Sequence, residues 1–139
     1  VLDIALRPGV ALARYAHRTL HPQHDQFGLG VLSRWPFDEV VAVPPVQPTD
    51  TLKLRLKLRW QGQTVLLTAV HPMPPISPAY AQARNASLRE EAQQIAKQDL
   101  PGILAGDFND TPWSAGMRAL RGEMWRASGL LPTWPNAYG

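Results

Sequence analysis

Residues 52–60, Leu-Lys-Leu-Arg-Leu-Lys-Leu-Arg-Trp, alternate apolar and cationic side chains without a break. A period of two is the repeat of a β-strand, and it does not fit the 3.6-residue repeat of a helix. Leu52, Leu54, Leu56, Leu58 and Trp60 fall on one face, and Lys53, Arg55, Lys57 and Arg59 on the other. Such a half-exposed strand belongs to an antiparallel sheet. Gln61-Gly62-Gln63 follows as a turn with Gly62 at its tip. Residues 64–70 are apolar on both faces, which suits a buried strand. The two runs predict a hairpin whose first strand lies nearer the solvent.

The other predicted elements are shorter. Residues 9–20 read as a helix with Pro8 near its first turn. Residues 29–34 and 38–43 read as strands, stopped by Pro36 and by Pro44-Pro45. Residues 79–98 predict a second helix, with Leu88, Ala92 and Ile95 on one stripe and Arg89, Glu90, Gln93, Gln94 and Lys97 facing water. Residues 103–106 are a further buried strand. Thr111-Pro112 reads as the N-cap and first position of a short helix carrying Met117 and Leu120. The tail from Gly129 reads as a loop. Trp35, Trp60 and Trp113 read as core or interlayer packing. Strands outnumber helices and the sharpest hairpin is antiparallel, so an α+β sandwich fits better than a doubly wound sheet.

Size and composition set the outer limits. A chain of 139 residues is one domain at most. With 45% apolar and 18% charged residues it has a globular composition. Its 14 prolines imply many irregular connections. The absence of cysteine excludes disulfides and thiolate metal sites. No apolar run approaches the length of a membrane span. A net charge of +3 suits an anionic partner without demanding one. Val1-Leu2-Asp3-Ile4 has neither an initiator Met nor a basic signal-peptide head, so the chain is expected to be cut from a longer protein.

Chemistry concentrates where buried strands end. Gly106-Asp107-Phe108-Asn109-Asp110 directly follows the apolar run Ile103-Leu104-Ala105. In an extended chain Asp107 and Asn109 would point the same way and Phe108 into the core. A carboxylate and an amide oxygen on one face can hold a hard cation or position a water. Gly106 would let a ligand or another backbone approach closely. An Asp/Asn turn leaving a strand is the plain alternative, and spacing alone leaves both open. His71 also ends a buried strand, in Thr68-Ala69-Val70-His71-Pro72. One helix separates the two strands, so their ends can lie side by side, and that pairing favours a functional site.

Other features read more plainly. His17, His21 and His24 are spaced as a metal stripe, but Pro22 interrupts the helix it would need, and a solvated loop is expected. The Lys53, Arg55, Lys57 and Arg59 face could track nucleic-acid phosphates, yet a solvated edge strand is the simpler reading. Arg34 either approaches an anionic site or is an exposed strand-end residue. Trp134 either stacks on a base or lipid headgroup or is a rim hydrophobe.

The segments GLGVLSRWP, LLTAVHPMPP, GILAGDFNDTPWS and LLPTWP, in this order with a helix between the second and third, resemble the endonuclease/exonuclease/phosphatase superfamily. The resemblance spans roughly residues 27–135, and GDFN after a buried strand is its most specific part. It is nearest to a bacterial branch, often membrane-tethered, in which GDFN precedes TPWS. The resemblance implies a four-layer α/β/β/α sandwich, two packed mixed sheets flanked by helices. For the complete protein it implies hydrolysis of a phosphate ester with Mg²⁺ or Mn²⁺, most simply as a phosphodiesterase or nuclease, and it leaves the activity of residues 1–139 alone open. His71 would match the family histidine that hydrogen-bonds the scissile phosphate. Asp107 would match the aspartate that activates water or binds the metal, and Asn109 the asparagine that holds the phosphate or that water. Asp107 and Asn109 are thus also the metal candidates.

The family pattern has members with no counterpart here. Its first-strand Asn is unmatched, and Asp3 stands only roughly where its metal-binding Glu would fall. Its terminal Asp-His pair would lie past Gly139. Residues 1–139 are therefore expected to be a partial domain, lacking terminal strands and motifs. The competing expectation is a non-catalytic phosphate- or nucleic-acid-binding module that keeps the fold. The substrate, possibly DNA, stays open. So does the compartment, between a bacterial cytoplasm and a membrane reached through a tether outside the chain.

Overall fold

The computed structural model describes residues 14–127. The elements run β1 (His17–His21), β2 (Leu29–Ser33), β3 (Phe37–Val43), β4 (Lys53–Trp60), β5 (Gln63–Val70), α1 (Pro78–Ala96), β6 (Gly102–Gly106) and α2 (Ala115–Leu120). β1 and β2 form an antiparallel pair. The other four strands form a mixed sheet in the order β3-β4-β5-β6. Within it β3, β4 and β5 are antiparallel neighbours, whereas β5 and β6 are parallel and joined through α1.

The β4–β5 hairpin forms as its pattern predicts. Trp60 pairs with Gln63 across a two-residue turn. Gln61 and Gly62 both have positive φ, 49° and 81°, which is the turn whose twist matches the flanking strands. Leu52, Leu54 and Leu56 are buried with Ala69, and Leu29 and Val31 of β2 pack on them. Burying a leucine side chain stabilises the fold by about 2 kcal/mol, so this seam holds the two sheets face to face. Val70, Leu88, Ala92 and Leu120 form a second cluster on the opposite face of the large sheet, beneath α1 and α2. The α+β sandwich is therefore realised, with two sheets and one helical layer among the described residues.

Five expectations are corrected. Residues 103–106, read as a buried strand, lie in β6 at the edge of the sheet among the described residues, with Ile103 47% exposed. The region predicted as a helix over 9–20 contains strand β1 from His17. His17-Arg18-Thr19-Leu20-His21 pairs with all five residues of β2 across the loop at 22–28, and this ladder overrides the weak helical pattern. The alternating strand is internal, since β3 shields its outer edge. Its cationic face is solvated only in its second half: Lys53 and Arg55 lie under α1, where they meet Glu91, whereas Lys57 and Arg59 are exposed. The short helix starts later than predicted, with Ser114 as its N-cap accepting the Met117 N–H. Trp35, Trp60 and Trp113 are exposed, Trp113 by 64%, so they do not pack the core. Trp35 and Trp60 instead meet edge-to-face at the surface.

α1 is held at its N-terminus and along its middle. Ser77 caps it by accepting the Tyr80 N–H, and Pro78 occupies the first turn. Its core-facing residues are Arg84, Leu88, Glu91, Ala92 and Ile95. Glu91 is fully buried and receives two hydrogen bonds from Arg55 and an ion pair from Lys53. Burial alone would push its carboxyl up, but the Arg55 hydrogen bond and the charges of Lys53 and Arg55 hold it below the ordinary range.

Candidate functional site

The last paired rung between β5 and β6 is Val70 with Gly106. His71 and Asp107 are the next residue on each strand. Neighbouring strands lie about 4.8 Å apart, so the crossover through α1 delivers both residues to the same end of the sheet. The side-by-side strand ends expected from the sequence are present. Gly106 allows them: its φ is 142°, and a Cβ there would stand 1.8 Å from the Val70 carbonyl oxygen. The close approach at Gly106 is thus to another backbone.

The segment after Gly106 is not extended; of the two forms that the spacing left open, it takes the Asp/Asn turn. Asn109 takes φ 48°, and its N–H donates to Asp107 Oδ1 at 2.9 Å. This is a turn closed by an aspartate side chain, and Asn tolerates its left-handed backbone better than most residues. Phe108 does turn inward, against the cluster under α1. The turn still brings the expected residues together by another route. Asn109 Nδ2 donates to the Pro72 carbonyl at 2.9 Å, which ties the loop after β6 to the loop after β5. Asp107 is exposed, and among the described residues its Oδ2 has no partner.

A third loop completes the site. Phe27 is buried, and its N–H donates to Asp25 Oδ1 at 2.8 Å. Its ring stands 5.1 Å from the half-buried His71 ring at 54°. The contact fixes the imidazole on one side and leaves its nitrogens without a hydrogen bond to any described residue. The arrangement offers an imidazole, a free carboxylate oxygen and an amide oxygen at one strand-end surface. Two cavities of about 280 and 290 Å³ lie elsewhere, one beside α1 and β4, the other between the sheets near Trp35.

The donor set suits part of a Mg²⁺ shell. Mg²⁺ prefers oxygen ligands, keeps several waters, and is commonly held by one or two carboxylates together with a substrate phosphate. Asp107 Oδ2 and the Asn109 side-chain oxygen are donors of that kind. No group of three His, Cys, Asp or Glu side chains among the described residues forms a metal cluster. The histidine stripe is used otherwise: His17 packs edge-on against Phe37, and His21 Nε2 shares a hydrogen bond with Thr19 Oγ1. Asp3 and Trp134 lie outside the described residues.

Arg34 belongs to the far end of the sandwich. Phe27, before β2, meets His71 after β5, whereas Trp35, after β2, meets Trp60 beside the start of β5. The eight residues of β5 separate these ends by roughly 25 Å at 3.3 Å per residue. Arg34 instead lies over the Tyr15 ring, 5.7 Å from its centroid. On the cationic stripe, Lys57 pairs with Glu39 and Arg59 with Asp38 at the surface.

Sequence reasoning missed Arg84 and Asp110, a buried pair directly behind the turn. The signal was present: Arg84 stands four residues before Leu88, on the stripe that faces the core. A charge on a buried stripe requires a partner.

Residues 2–139 match the model of the Endonuclease/Exonuclease/phosphatase family. No curated protein sequence is significantly similar to the chain. Solved structures share its fold at low identity. Sphingomyelinase C from Streptomyces griseocarneus matches with a TM-score of 0.63 and 18% identity over 81% of this chain and 49% of its own. TDP2 from D. rerio, complexed with a single-strand DNA product, matches with 0.62 and 22% over 82% and 46%. Beta toxin from Staphylococcus aureus, a mutant with bound magnesium ions, matches with 0.62 and 13% over 80% and 49%. The chain thus spans about half the length of the structures it matches.

Proposed function

Because the chain belongs to the endonuclease/exonuclease/phosphatase family, we propose that it carries His71, Asp107 and Asn109 as catalytic groups of a divalent-metal-dependent phosphate-ester hydrolase, a phosphodiesterase or nuclease. The observation that carries this reading is the parallel β5–β6 register, which puts His71 and Asp107 on neighbouring strand ends with Asn109 bonded back to Pro72. The beta toxin bound to magnesium and the TDP2 complex with a DNA product support the cofactor and the phosphodiester class. Mg²⁺ or Mn²⁺, when bound, neutralises phosphate charge, and Asp107 Oδ2 with the Asn109 side-chain oxygen would hold it.

The chain's own residues supply the rest. His71, braced by Phe27, donates a hydrogen bond to a phosphate oxygen as charge develops there. Asp107 has one oxygen committed to the turn and one facing solvent. The free oxygen would orient a water or accept its proton, or else hold the metal. Asn109 is fixed by Pro72 and presents its side-chain oxygen to the phosphate, the cation or that water. Phosphoryl transfer asks mostly for positioning and charge neutralisation, so three anchored polar groups are a fitting contribution.

The test is turnover of a generic phosphodiester with Mg²⁺ by the complete protein, comparing wild type with Asp107→Ala, Asn109→Ala and His71→Ala. The reading predicts losses of about a hundredfold or more for each, with the folded circular-dichroism spectrum retained. Unchanged turnover in folded Asp107→Ala defeats it. Salt-sensitive, divalent-independent nucleic-acid binding without turnover would instead identify a binding module.

A further inference from the structure

We propose that Arg84, on α1, is a positioning residue that sets the geometry of the turn at Asp107–Asn109. This rests on the hydrolase reading of that site. The side chains of Arg84 and Asp110 are only 6% and 5% exposed. Arg84 Nη1 donates to the Asn109 carbonyl at 2.6 Å, and Nη2 stands 3.1 Å from Asp110 Oδ2. Nε and Nη2 also donate to Asn85 Oδ1 at 3.1 and 2.9 Å. Asp110 is itself bound on the far side: Oδ2 accepts from Ser114 Oγ at 2.7 Å, and Oδ1 from the Thr111 N–H at 2.8 Å. One guanidinium therefore fastens three things together, namely α1, the Asn109 peptide and the N-cap of α2.

The backbone explains why such a clamp is needed. At φ 48° the Asn109 carbonyl is directed toward α1. A carbonyl removed from water needs a donor, and Arg84 supplies it. A left-handed non-glycine residue persists only where its surroundings hold it. Buried ion pairs are weak as sources of stability and are better regarded as devices that select one conformation. Here the selected conformation is the one in which Asn109 Nδ2 reaches Pro72 and its N–H reaches Asp107. With the clamp gone, the turn can relax toward the extended form, and both contacts would be lost. Gly116 shows how closely α2 is seated: a Cβ there would stand 2.3 Å from Asn85 Oδ1 and 2.9 Å from Asp110 Oδ2.

The test compares wild type with Arg84→Met and Arg84→Lys, with Arg84→Lys retained should Arg84→Met fail to fold. The first readout is the Asn109 side-chain amide resonance, assigned by its loss in Asn109→Asp. The second is kcat against KM on bis(p-nitrophenyl) phosphate with Mg²⁺. Displacement of the Asn109 signal toward its random-coil position, smaller in Arg84→Lys, supports the proposal. So does a fall in kcat of roughly tenfold to a hundredfold with KM little changed, the scale expected of a displaced catalytic group. Millimolar guanidinium added to Arg84→Ala should restore part of both readouts. A folded variant whose Asn109 signal stays at the wild-type position overturns the proposal, even if its melting temperature drops. Absence of turnover in the complete wild-type protein would defeat the hydrolase reading instead, and the resonance would still decide whether Arg84 sets the turn.

Discussion

Replacing Glu91 by leucine should unfasten α1 from the large sheet. Glu91 is fully buried and accepts from Arg55 Nε at 2.9 Å and Nη2 at 2.7 Å, with Lys53 Nζ at 3.2 Å. Its removal leaves two cations without their anion. Lys53, with a side chain 11% exposed, has little water to turn to, whereas Arg55 at 39% can rehydrate. Breaking a buried pair costs about 3–5 kcal/mol, and the partial exposure of Arg55 puts this case near the lower figure. That is a large share of a domain's usual stability of about 5–15 kcal/mol. At roughly 3–5 °C per kcal/mol for a chain of this size, the midpoint should fall by about 10 °C at pH 7. Thermal unfolding followed by circular dichroism measures it. Melting of Glu91→Leu within about 3 °C of wild type would refute the reasoning. The pH dependence gives an independent sign. The folded carboxyl titrates below its ordinary value of 4.5, so its contribution is fully present above that pH. It is lost as pH falls from there through the lowered folded value. Glu91→Gln should lack this acid-induced loss.

Two further outcomes follow from the geometry. Gly106→Ala would force a Cβ to 1.8 Å from the Val70 carbonyl at a φ of 142°, so it should cost at least about 2 kcal/mol in urea unfolding and displace Asp107 from His71. A fully stable, fully active Gly106→Ala would contradict the β5–β6 geometry. Lys57→Ala and Arg59→Ala each remove one exposed ion pair; each should cost no more than about 1 kcal/mol and leave DNA affinity in a filter-binding assay unchanged. A marked loss of affinity would restore the stripe as a phosphate track.

The parts of the fold legible in the sequence are those where local pattern and global packing agree. The period-two run at 52–60, the glycine turn at Gly62 and the stripe through Leu88, Ala92 and Ile95 all reappear close to their expected bounds. The adjacency of His71 and Asp107 was also readable, because two apolar strands joined by one helix tend to pair in parallel. β1 was not, since only its ladder with β2 overrides the local preference. The roles of Lys53 and Arg55 were misread because a strand's polar face looks the same whether it meets water or a buried carboxylate on a helix. The Asn109 turn was legible only as one of two open alternatives, for a related reason. Its left-handed backbone depends on Arg84, 25 residues earlier, and no short spacing records that contact. Arg84 and Glu91 could have been flagged as charges on an apolar stripe, and their partners only by folding the chain.

The central claim is that these strand ends hydrolyse phosphate esters with a divalent cation. The most direct measurement is turnover of bis(p-nitrophenyl) phosphate by the wild-type protein, first stripped with EDTA and then titrated with Mg²⁺ or Mn²⁺. The account predicts no turnover after stripping, recovery that saturates with added metal, and no recovery in Asp107→Ala. Turnover that survives stripping, or metal-restored turnover that persists in Asp107→Ala, would contradict it.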